Sequence, residues 1–161
     1  MYPVRTVARW LPLLVATAFA GSCGTVNLGD NISPPDLQLN EDYFFCVVQP
    51  QVITQYHCAV GASGEAGSCH TARSAMRLLA SAESDAAPTC DAMNHVTGAV
   101  PDSYRQNLDA IRPEVQSTAD DSSIYRRPTG LDSHPRVVFP VDPSPTSPAG
   151  IIEAWLAMGG V

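Results

Sequence analysis

Lysine is missing from this chain of 161 residues, and all nine of its cations are arginines set against sixteen Asp and Glu, for a net charge of −7 with neutral histidines. Such a surface repels phosphates and anionic headgroups, which argues against nucleic acid or a bare lipid surface as a partner. Tryptophan is scarce, with Trp10 and Trp155 alone, and aromatics make up 7% of the sequence. After residue 22 no apolar run is long enough to cross a bilayer, and no internal repeat occurs. No serine stands in a nucleophile-elbow pattern, so nothing marks a hydrolase and no enzyme activity is expected. Fourteen prolines and eleven glycines limit regular structure and imply long loops. A core this thin needs help from disulfides, a metal or a cofactor.

The N-terminus is organised differently from the rest. Arg5 and Arg9 precede an apolar run over residues 10–20, short for a membrane span and of the length of a signal-peptide core. Ala20-Gly21-Ser22-Cys23 resembles the lipobox of bacterial lipoproteins, with Ala20 where Leu is usual. That resemblance implies cleavage after Ser22, lipidation of Cys23 and, because Gly24 rather than Asp follows, retention at the outer membrane. Residues 1–22 are thus expected to be a lipoprotein signal peptide and residues 23–39, rich in Gly, Asn, Asp and Pro, a tether. Residues 40–161 are expected to form one domain in the periplasm. Loss of Arg5 and Arg9 takes the mature chain to about −9. Four cysteines then remain in an oxidising compartment, Cys46, Cys58, Cys69 and Cys90, and are expected to be consumed in disulfides or covalent attachment.

Hydrophobic spacing predicts a mainly α fold of three to five short helices. Asn40 reads as an N-cap with Glu41 and Asp42 in the first turn. Pro50 breaks or kinks that helix. A small-residue loop over 59–68 leads to an amphipathic helix over 71–82. Residues 86–102 read as loop. Asp102 or Ser103 caps a further helix that is kinked or ended by Pro113, and Ile124-Tyr125 make a brief apolar turn. Residues 137–139 form a short β-like run. Ser147-Pro148 opens a closing helix bearing Ile151, Ile152, Trp155, Leu156 and Met158 and stopping at Gly159. Met158 reads as core.

The chemistry concentrates between residues 43 and 79, which hold two Cys/His pairs, His57-Cys58 and Cys69-His70. Cys69-His70 has the form of the end of a c-type haem attachment motif, in which two thiols make thioethers and the adjacent histidine binds iron. The second thiol, Cys58, is separated from Cys69 by ten residues instead of the usual two. The order Val48-Gln49-Pro50, Cys58, Cys69-His70, then Asn107 to Arg112, Ser122 to Arg127, His134-Pro135 and the helix of Trp155 resembles small cytochrome c-like domains of exported bacterial lipoproteins. The resemblance spans roughly residues 40–160. It implies one covalent haem c attached at Cys58 and Cys69, with His70 as proximal and His134 as distal iron ligand. It further implies a disulfide between Cys46 and Cys90, a closing helix packed on the first, a role in electron transfer and a redox partner protein in the envelope. Arg126 and Arg127 could meet haem propionates by analogy.

Other readings of the same residues stand beside that one. Four cysteines allow three pairings. Cys46–Cys58 is disfavoured, since twelve helical residues separate them by roughly 18 Å. The preferred set is Cys58–Cys69 with Cys46–Cys90, giving a disulfide-stapled structural or interaction lipoprotein with no cofactor. A zinc site of His57, Cys58, Cys69 and His70 matches no usual finger spacing. His95, in a polar loop after Cys90, reads as a surface residue, and Asp120-Asp121 as a solvated pair.

Overall fold

The computed structural model describes residues 37–61, 69–72 and 74–159. The expected signal peptide, Cys23 and most of the 59–68 loop lie outside the described residues. The described part is helical and without strands. The backbone pairs in strand fashion at one isolated bridge, Cys90 with Val96.

Asn40 caps α1 (Glu41–Tyr43), its Oδ1 accepting the Tyr43 amide at 2.9 Å. From Phe44 to Thr54 the same helix continues in the wider π winding, with Pro50 inside it. Proline has no N–H to give and its ring crowds the carbonyl of the preceding turn. The wider turn accommodates both without ending the helix. Phe44, Phe45, Val47, Val48, Val52 and Ile53 are buried along it. α5 (Pro148–Met158), capped by the Ser147 hydroxyl on the Gly150 amide, packs against this helix. Trp155 meets Phe44 at 5.2 Å between ring centres and donates its indole N–H to the Asn40 carbonyl at 3.0 Å. The residue that starts the first helix therefore also anchors the last. Leu39 is buried against the same core, so the chain is packed just before the helix begins.

Between these two helices run α2 (Cys69–Ala72), a 3₁₀ turn (Ala80–Glu83), α3 (Asp102–Ile111), a second 3₁₀ turn (Arg112–Glu114) and α4 (Ser123–Arg126). The expected helix over 71–82 is not formed. From Ser74 the chain runs in bends and irregular backbone to Leu79. Its polar groups are claimed elsewhere: the Leu78 amide donates to the His70 carbonyl at 3.0 Å, and the Leu79 amide to Asn107 Oδ1 at 2.7 Å. Leu78 is thereby delivered to the core. Asn107 also donates to Gln49 Oε1 at 3.1 Å, and Gln49 donates to Thr54 Oγ1 at 3.2 Å. Both amides are fully buried and fully used.

α3 ends before Pro113, and Ile124 and Tyr125 lie buried on α4. Residues 137–139 form no strand, although the Val138 amide reaches the Pro128 carbonyl at 2.8 Å. Met158 is 48% exposed, although Trp155 and Leu156 in the same last turn of α5 are buried. Cys46 and Cys90 form a disulfide with Cα atoms 6.1 Å apart, stapling the 86–101 loop to the first helix.

Two outcomes follow for stability. The Cys46–Cys90 bridge closes a separation of 44 residues, and Cys46→Ser is expected to lower unfolding free energy by about 2–4 kcal/mol. Cys90→Ser should cost the same, and the double variant no more, in denaturant titrations. A Cβ on Gly150 would sit 2.0 Å from the Ser144 carbonyl oxygen. Gly150→Ala is therefore expected to destabilise by about 3 kcal/mol, read as a lowered thermal midpoint.

Candidate functional site

The chain reverses just after the first helix. His57 adopts φ +50° and Gly61 φ +83°, both in the left-handed region, where a non-glycine residue needs support. Glu83 supplies it. Its carboxylate accepts the Ala59 amide at 3.0 Å, the Val60 amide at 3.2 Å and His57 Nδ1 at 3.0 Å. This turn is laced to α2: the His70 amide reaches the Ala59 carbonyl at 3.0 Å and that of Cys58 at 3.2 Å, and the Thr71 amide reaches Ala59 at 3.2 Å. Cys58 and Cys69, with ten residues between them along the chain, are thus held on neighbouring backbone.

His134 arrives from far along the chain. Its loop leaves α4 through a turn in which Thr129 Oγ1 donates to the Tyr125 carbonyl at 2.7 Å and Gly130 takes φ +81°. Arg126 braces the loop on the carbonyls of Asp120 and Leu131, at 2.8 and 3.4 Å. Cys58, Cys69, His70 and His134 all line one partly open cavity of about 70 Å³. Its walls are apolar at Ile53, Met76, Ile124 and Val138 and charged at Glu114, Arg127 and Arg136. The His70 and His134 rings lie 6.1 Å apart between centres with their planes 17° from parallel.

The hydrogen bonds decide which nitrogen each ring offers. His134 Nδ1 lies 2.6 Å from the Arg136 carbonyl, which can only accept, so Nδ1 carries the hydrogen. His70 Nδ1 lies 2.7 Å from Ser74 Oγ. The single Ser74 hydroxyl hydrogen goes to the Met76 carbonyl, so the serine must accept from the imidazole. In their neutral forms both rings therefore present a bare Nε2, the form a metal requires. Burial first, and the neighbouring His134 second, hold the His70 pKa below its ordinary value, which favours the neutral ring.

Cys58 is a thiol whose pKa burial pushes up to about 12, with Glu83 and Cys69 raising it further and Arg136 opposing. It is therefore protonated near neutrality and no nucleophile for thiolate catalysis. The zinc arrangement does not assemble: among the described residues no group of three or more His, Cys, Asp or Glu side chains could hold a metal ion. His57 instead spends Nδ1 on Glu83. His95 is exposed and pairs with Asp91 at 3.2 Å, and Asp120 and Asp121 are exposed. Of the two adjacent arginines, Arg127 lines the cavity, 3.5 Å from Glu114.

Sequence reasoning missed Ser74, Glu83, Glu114 and Arg136. Ser74 carried a faint signal, four residues after His70. Glu83 carried none, since its partners lie 23–26 residues upstream.

The lowered His70 pKa has a measurable consequence. The unfolded chain, with an ordinary histidine near 6.5, takes up a proton before the folded one does. Its contribution to stability is therefore present above that value and is lost as the pH falls toward the lowered folded value. In denaturant unfolding of the cofactor-free protein between about pH 5 and 7.5, the advantage of wild type over His70→Gln should shrink as the pH is lowered.

No family model, no curated protein and no solved structure matches this chain.

Proposed function

We propose that this protein is a c-type haem-binding electron-transfer lipoprotein of the cell envelope, anchored through Cys23 and serving a redox partner protein rather than catalysing a reaction. One observation supports the reading above all: two imidazoles from distant parts of the chain line one cavity, each with Nδ1 tied down and Nε2 bare. Their ring centres lie 6.1 Å apart, so the two imidazoles could hold one ion between them. Two thiols border the same cavity. The fit is carried by this donor set and not by volume. The cavity of about 70 Å³ is far smaller than an ordinary ligand pocket of roughly 300–1,000 Å³. A porphyrin would therefore have to occupy the open side of the cleft.

In this reading His70 and His134 hold the iron through Nε2, while Ser74 and the Arg136 carbonyl keep each ring in the required tautomer. Cys58 and Cys69 would be the residues that hold the haem covalently, each through a thioether to a vinyl group. Arg127 and Arg136 supply positive charge at the rim. A haem so bound would exchange single electrons by outer-sphere transfer.

The decisive experiment is expression of the full chain together with a haem-maturation system, followed by visible spectroscopy and haem staining of the denatured protein. A Soret band, a low-spin α band and haem that stays with the polypeptide are expected, with the porphyrin mass on the peptides bearing Cys58 and Cys69. Absence of bands and stain, with a two-proton loss linking Cys58 to Cys69, would establish the disulfide-stapled lipoprotein instead. Fatty-acid labelling lost in Cys23→Ser tests the anchor.

A further inference from the structure

We propose that Ser74 is the residue that selects the liganding nitrogen of His70, a positioning role that rests on reading His70 as an iron ligand. The two imidazoles are restrained by unequal means. His134 gives its Nδ1 hydrogen to a backbone carbonyl, an acceptor that no substitution removes. His70 gives its hydrogen to a side chain, Ser74 Oγ at 2.7 Å, with the Met76 carbonyl as a second partner of the ring. A serine hydroxyl can in general donate or accept, so by itself it would not choose a tautomer. Here the choice is made by the Met76 carbonyl, which takes the hydroxyl hydrogen and leaves Ser74 Oγ only its lone pairs. The relay runs from imidazole to hydroxyl to carbonyl.

The relay depends on the non-helical path from Ser74 onward. The Leu78 amide bonds the His70 carbonyl, and Asn107 holds the Leu79 amide, which keeps the Met76 carbonyl beside Ser74. Ser74 and Met76 both line the cavity. Accepting a hydrogen bond from Nδ1 makes the opposite nitrogen a better donor to a metal and stabilises the more highly charged metal state. Loss of the acceptor therefore raises the reduction potential and weakens the His70 bond.

Two measurements test this, one without any cofactor. In ¹⁵N-labelled cofactor-free protein, long-range proton–nitrogen correlation should find both His70 and His134 with the hydrogen on Nδ1. In Ser74→Ala, His70 should become a mixture of tautomers while His134 is unchanged, and Ser74→Thr, which keeps the hydroxyl, should restore wild-type behaviour. In haem-loaded protein, Ser74→Ala should shift the potential to more positive values, and added imidazole should replace His70 at about 10- to 100-fold lower concentration. A wild-type His70 protonated at Nε2, or a Ser74→Ala protein indistinguishable from wild type in tautomer and potential, overturns the proposal. Should Ser74→Ala not fold, the wild-type and Ser74→Thr tautomers still decide it. A wild-type protein that takes up no haem defeats the haem reading alone, because the tautomers are read in its absence.

Discussion

The described structure turns on one buried polar contact, that between Gln49 and Asn107. Both amides are shut away from water, where an unmet hydrogen bond costs about 1–3 kcal/mol, and each is satisfied by the other and by one further partner. Gln49 ties in Thr54 on its own helix, whereas Asn107 seizes the Leu79 amide. The pair therefore specifies how the first helix, α3 and the segment after α2 meet. Apolar contacts between these elements would supply stability with less choice of register. An amide pair accepts one arrangement, because any slip leaves donors and acceptors stranded.

That arrangement reaches the site through short links. Holding Leu79 keeps residues 74–79 out of a helix, which frees the Met76 carbonyl for Ser74 and Ser74 for His70. On the other side of the cavity Glu83, carried by the 3₁₀ turn that follows, gathers the amides of the Cys58 turn and the ring of His57. One carboxylate thus supports a left-handed residue and the turn bearing a candidate attachment thiol. The price of this economy is a site assembled from loops, each restrained by side-chain acceptors more than by regular structure. Its rigidity is that of its hydrogen bonds.

Local signals were legible where a residue acts on its immediate neighbours. Asn40 and Ser147 announced helix starts because an N-cap satisfies amides two or three residues on. Gly159 marked the end of the last helix and Pro113 the end of α3 in the same way. The helical reading of 71–82 failed because its periodic apolar residues answered a different demand: Leu78 is buried by a non-helical chain whose next amide, that of Leu79, finds its partner 28 residues away. Pro50 was legible as a disturbance, but its outcome, a widened winding in place of a break, depended on the core that grips both sides of the helix. Met158 has helical spacing suited to burial, yet it stays exposed while Trp155 and Leu156 of the same turn are buried, which only the packing of α5 decides.

By itself, then, the amino-acid sequence determined the helical class, the capped ends of the first and last helices and the residues in which chemistry could reside, since caps, periodicity and donor atoms are properties of near neighbours. The tertiary structure decided what no linear spacing encodes. It joined Cys46 to Cys90, brought Cys58 beside Cys69 across ten residues, and set His134 6.1 Å from His70. It also chose the nitrogen each histidine presents. Those outcomes depend on hydrogen bonds between segments distant in the chain, formed only when the buried amides and the apolar core are satisfied together. The stretch from residue 43 to 79 carries one imidazole and both thiols of the site, and the fold supplies the second imidazole and the acceptors that orient the pair.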